Sequence, residues 1–97
     1  MMRIDYDSKA DALDIRLASF SHYDHQEQID DSSCTVGFAG GRLVDIELLD
    51  PAVHLDLLEQ VADRFDLDGE ALLAAAKAGL AAPDRVVELK VGALLTV

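Results

Sequence analysis

Apolar and polar residues alternate from the start of the chain: Met2, Ile4 and Tyr6 fall between Arg3, Asp5 and Asp7. Leu13, Ile15 and Leu17 alternate with Asp14, Arg16 and Ala18 in the same way. A period of two is that of a strand with one buried and one wet face. The segment "SKAD" (8–11) joins the two strands. The first apolar set is even-numbered and the second odd, so they share a face only across an even-length loop. Two registers satisfy that parity. One sets Arg3 opposite Asp14, a favourable cross-strand pair. The other sets Asp5 opposite Asp14 and Arg3 opposite Arg16, which costs energy unless something compensates. The second register carries the chemistry, because paired carboxyl groups can hold a cation or share a proton.

After Phe20 the pattern lapses into a polar stretch, "SFSHYDHQEQIDD". Cys34, Val36 and Phe38 then alternate with Thr35 and Gly37, and Val44, Ile46 and Leu48 with Asp45 and Glu47. "AGG" (39–41) between them is a hairpin turn signal, because glycine tolerates positive φ. At Asp50-Pro51 the period changes. Asp as N-cap and Pro at the first helical position predict a helix running to about residue 65, with Val53, Leu57, Leu58, Val61 and Phe65 on one face. Asp68 caps a second helix with Leu72, Leu73, Ala76 and Leu80 as its stripe. Beyond Pro83, Val87, Leu89 and Val91 alternate with Glu88 and Lys90, a last strand that runs into the apolar "ALLTV". The fold class is therefore α+β: an antiparallel meander of about four strands, two helices packed on one face, then a C-terminal strand (β-β-β-β-α-α-β). The 97 residues read as a single domain, with the meander over 1–50, the helical segment over 51–82 and the terminal strand over 84–97.

Charge narrows the partners. Asp and Glu number 19 against 8 Lys and Arg, spread evenly along the chain, for a formal net charge of −11. No basic patch or arm stands out, which argues against nucleic acid and against an anionic membrane surface. A basic protein, such as a toxin that this chain would neutralise, or a cation suits the acidity. One cysteine, Cys34, excludes an internal disulfide. With a polar N-terminal segment and no long apolar run, it predicts a soluble cytoplasmic protein. A terminal strand apolar on both faces wants cover, and the simplest cover is a second copy. Val87, Leu89, Val91, Leu94 and Leu95 are the expected homodimer interface.

Little points to catalysis. The serines sit in turns or polar segments, outside any nucleophile elbow. Cys34 lies on the apolar side of its strand and reads as a small hydrophobe. "GFAGG" joins two strands rather than opening a helix, so it is no phosphate loop. No motif calls for a cofactor. "RFDLDGE" (64–70) fails as a calcium loop, since aligning Gly69 with the turn glycine puts Arg64 first and Ala75 twelfth. Asp7 and Asp11 flank a turn, where aspartate bonds nearby backbone N–H groups. The candidate metal ligands are Asp5 and Asp14 on the polar face, and His22 and His25 in "HYDH". They define the alternative to an interaction module, a small divalent-metal- or ligand-binding protein.

Two separated motifs are familiar. Tyr6, Asp7, Asp11, Ala12, Leu13, Ile15 and Leu17 match Tyr-Asp-x-x-x-Asp-Ala-Leu-x-Ile-x-Leu. Gly41, Leu43, Val44, Ile46, Glu47, Leu48 and Leu49 match Gly-x-Leu-Val-x-Ile-Glu-Ile-Leu. In these motifs the chain, over roughly residues 3–52, resembles the Domain of Unknown Function 2283 family. The resemblance implies a small β-rich cytoplasmic bacterial protein and transfers no catalytic residue. The chain departs from that pattern at Asp14, where the family often has an aromatic residue, and at "AGG", where it often has an Asp- or Asn-rich turn.

Overall fold

Turn chemistry decides the first pairing. The computed structural model describes residues 2–30 and 32–90. Strands β1 (Met2–Asp7) and β2 (Ala12–Arg16) are antiparallel and leave Ser8–Asp11 as a four-residue loop. Asp7 Oδ1 accepts from the backbone N–H groups of Lys9 and Ala10, and Asp11 takes a left-handed backbone with φ of 50°. The register that follows pairs Ile4 with Ile15, Asp5 with Asp14 and Arg3 with Arg16. It is the like-charge alternative. The other register would close the loop with two residues and leave Asp7 and Asp11 without these roles.

Three more strands precede the helices: β3 (His25–Ile29), β4 (Cys34–Ala39) and β5 (Arg42–Leu49). Five strands therefore stand where the alternation indicates about four. The added one, β3, comes from the polar stretch. Its inward face is His25, Glu27 and Ile29, too mixed to register as a period-2 pattern, and only Ile29 is buried. The β4–β5 turn is Gly40-Gly41, both at positive φ, the two-residue hairpin geometry that "AGG" signals. A register shift near Gly37 and Phe38 leaves Val44 as an extra residue on β5, so Val44, Asp45 and Ile46 are buried in succession.

Pro51 starts only a short 3₁₀ turn, Pro51–Val53. Asp50 lies in the left-handed region and makes no side-chain cap, so helix α1 begins later and spans Asp56–Phe65. Helix α2 (Gly69–Ala81) starts as its sequence indicates, with Asp68 accepting from the N–H groups of Glu70 and Ala71. Strand β6 (Val86–Leu89) then pairs with β1. All pairings are antiparallel, and the order across the sheet is β3-β4-β5-β2-β1-β6.

Both helices cover one face. Ile4, Leu13, Ile15, Val36, Ile46 and Leu48 from the sheet meet Leu57, Leu58, Val61 and Leu72 from the helices in one aliphatic core. Gly79 lets α2 lie directly on Ile4 and Leu13, which a Cβ there would overlap. The opposite face carries the alternate residues of every strand, and no helix among the described residues covers it. Val87 and Leu89 are half-buried against the core, whereas Val91, Leu94 and Leu95 lie outside the described residues.

Candidate functional site: a carboxyl pair on the open sheet face

The centre of the open face is built from three adjacent strands. β1 supplies Arg3 and Asp5, β2 Asp14 and Arg16, and β5 Asp45 and Glu47. Cross-strand pairing sets Asp14 opposite both Asp5 and Glu47, and Arg16 opposite both Arg3 and Asp45. Arg3, Asp5, Asp14 and Arg16, with Val86 of β6, line a small cavity of about 190 Å³.

Asp45 is the buried member, 5% exposed. Its cover is the segment 18–24, which crosses the sheet as a strap. Leu17 donates its N–H to the Val44 carbonyl at one end (2.8 Å), and Asp24 donates to that of Phe38 at the other (2.7 Å). Between these anchors the Tyr23 ring lies on Gly37, where any Cβ would collide with it. The Tyr23 hydroxyl donates to Asp45 Oδ2 at 2.8 Å. Phe20 packs on Tyr23 with ring centroids 4.8 Å apart, and the Arg16 guanidinium lies 4.6 Å from the Phe20 centroid. Arg16 thus turns onto an aromatic face, and among the described residues no ion pair joins it to Asp45.

Asp45 Oδ1 is buried and meets no hydrogen-bond donor. Asp14, on the neighbouring strand, lies diagonal to Asp45 on the same face, between the pairs Asp14–Glu47 and Arg16–Asp45. As two carboxylates neither group can donate, whereas one proton between them makes a hydrogen bond. Burial, then that hydrogen bond and the Asp45 charge, push Asp14 up to about 8, against an ordinary value of 3.8. Glu47 acts in the same direction and Arg16 opposes it. Burial and the same carboxylate also push the Tyr23 phenol upward, so it stays a donor.

The histidines lie elsewhere. His25 stacks on Phe38 at 4.4 Å, on the helix side of the sheet, and its Nε2 sits 3.2 Å from Glu27 Oε2. His22 pairs with the Ser21 hydroxyl at 3.1 Å and lines a broad apolar groove of about 870 Å³ between the strap, the β4–β5 turn and Phe65. So the register brings Asp5 to Asp14, and nothing brings His22 or His25 to them. Among the described residues no three His, Cys, Asp or Glu side chains converge as metal ligands. Cys34 is buried, with its thiol pushed up to about 11 by that burial, and it packs as a hydrophobe.

Asp45 and Tyr23 are the site residues that sequence reading misses. The parity of β5 puts Asp45 on the wet face, but its nearness to Asp14 depends on β2 lying beside β5, a pairing no local pattern specifies. No helix among the described residues is long and apolar enough to cross a membrane. No curated protein and no solved structure matches the chain at a significant level. Residues 3–50, the segment that forms β1 to β5 and holds the carboxyl pair, match the family described as Protein of unknown function (DUF2283).

Proposed function

We propose that this protein is a non-enzymatic interaction module that self-associates through the free edge of β6. The observation that carries the reading is the position of β6. It is the outermost strand, paired with β1 on one side only among the described residues. The sequence after it, "VGALLTV", is apolar. This segment is also where the acidity of the chain lapses, since residues 85–97 carry Arg85 and Lys90 against Glu88 alone. Two copies of a strongly acidic chain meet with least repulsion there. An antiparallel β6–β6 contact would be self-complementary under twofold symmetry, with Val87, Leu89, Val91, Leu94 and Leu95 in or beside it. Elsewhere the charge of −11 favours encounter with a basic protein as a second partner class.

Light scattering at two concentrations tests this. The expected mass is twice 10.5 kDa, metal-independent, and the double substitution L94K/L95K should yield a folded monomer. A monomer at both concentrations, or a dimer indifferent to the two lysines, would overturn the reading.

A further inference from the structure

We propose that the strap 18–24 is a proton-dependent latch, closed over Asp45 while Asp14 and Asp45 share a proton and released when the pair loses it. The geometry requires a donor at Asp45 Oδ1, which is buried and otherwise unpartnered. Oδ2 is already served by Tyr23. Of the groups facing the pair, β1 offers Asp5 and Arg3, β2 Arg16, β5 Glu47 and the strap Tyr23. Asp5 and Glu47 cannot donate as carboxylates, Tyr23 is committed to Oδ2, and Arg16 stacks on Phe20. Arg3 leans toward Glu88 on β6, 3.9 Å away. The proton on Asp14 is the remaining donor.

Losing that proton sets a second anion beside the buried Asp45, with Glu47 adding to the repulsion. Lifting the strap rehydrates Asp45. Its hold is the Tyr23 hydroxyl bond, the Phe20–Tyr23 stack with Arg16 on Phe20, the Gly40 N–H donated to the Asp24 carboxyl and two backbone bonds at its ends. The elevated Asp14 value places the release in the mildly alkaline range. Release uncovers Asp45, and the proton lost from Asp14 adds a negative charge to a face that already bears Asp5 and Glu47.

The test is NMR on the full chain across pH, following the aspartate carboxyl carbons and the Gly37 Hα protons. Those protons are shifted by the ring current of Tyr23 only while the strap is closed. The Asp14 carboxyl should titrate near 8, with the Gly37 shift collapsing at the same midpoint. Asp14→Asn supplies a permanent N–H donor, so the Gly37 shift should persist across the whole range. Should that variant fail to fold, Tyr23→Phe weakens the latch and should move the midpoint down. An Asp14 carboxyl that titrates in the ordinary carboxylate range overturns the latch. So does a Gly37 shift indifferent to pH, a transition retained in Asp14→Asn, or a midpoint unmoved in Tyr23→Phe. A divalent cation that binds stoichiometrically and holds the strap closed at high pH would also overturn it, making the pair a metal site.

Discussion

At Gly37 a hydrogen in place of a side chain lets the Tyr23 ring lie flat on the sheet. Gly37→Ala should drive the ring off and leave the Asp45 carboxyl without its hydroxyl donor. The expected loss is about 1–3 kcal/mol in urea unfolding, the range for a broken hydrogen bond to a charged group. In a Tyr23→Ala background the same change should cost less than about 0.5 kcal/mol, because the colliding ring is gone. Of the residues at this site, Asp14 is visible in the sequence as a carboxyl at odds with an aliphatic strand, and Asp5 as its partner in one of two registers. Tyr23 is invisible there, because its role depends on a strap that crosses two strands, β5 and β4, between β2 and β3. Turn aspartates are the opposite case. Asp7 bonds the loop N–H groups as expected of a turn aspartate, whereas Asp11 accepts from the Tyr6 hydroxyl at 2.6 Å rather than from the backbone.

Two aspartates precede the two helices, yet only one caps. Asp68 is extended and reaches two N–H groups, whereas Asp50 sits at φ 47° and its side chain reaches none. Asp68→Ala should therefore cost about 1 kcal/mol in thermal or urea unfolding. Asp50→Gly should be neutral or stabilising, since glycine accepts the left-handed backbone without strain. A short cap motif thus identifies a helix start only when the chain arrives extended. At Asp50 the chain leaves β5 through a reversal and reaches α1 by way of a 3₁₀ turn. Elements with one apolar face were legible: β1, β2, β4, β5 and the last strand, and α2 in its start, although its buried face is Ala71, Leu72, Ala75, Ala76 and Gly79 and leaves Leu73 and Leu80 half-exposed. The edge strand β3 was not, because a strand at the margin of the core needs only one buried residue, Ile29, and keeps no alternation. Nor was the neighbour relation of β2 and β5, which joins residues more than 30 positions apart (Leu13 with Leu48) and is decided by packing.

Across the whole molecule the carboxyl pair sets a pH dependence. Asp14 binds its proton more tightly in the folded chain than in the unfolded one, so the folded state holds more protons between about 4 and 8. Its contribution to stability is complete below the ordinary value of 3.8 and is lost as pH rises through about 8. Asp84 acts in the other direction. The Ser8 hydroxyl and backbone N–H, at 2.6 and 2.9 Å, hold its carboxyl below the usual value, so its contribution is present above 3.8 and lost in stronger acid. Urea midpoints should peak in mildly acidic buffer and fall toward pH 9, with Asp14→Asn flattening the alkaline side. Flat midpoints in the unsubstituted chain from pH 5 to 9 would contradict this. The strand order has a consequence during synthesis as well. β1 leaves the ribosome before the other described strands, finds β2 at once, and then waits for its other neighbour until β6 emerges after both helices. An unpaired edge on a nascent chain invites pairing with its neighbours on a polysome, and charges along the strand discourage it. Arg3, Asp5 and Asp7 are such charges. The charges that burden the finished sheet, set like against like, protect the unfinished one.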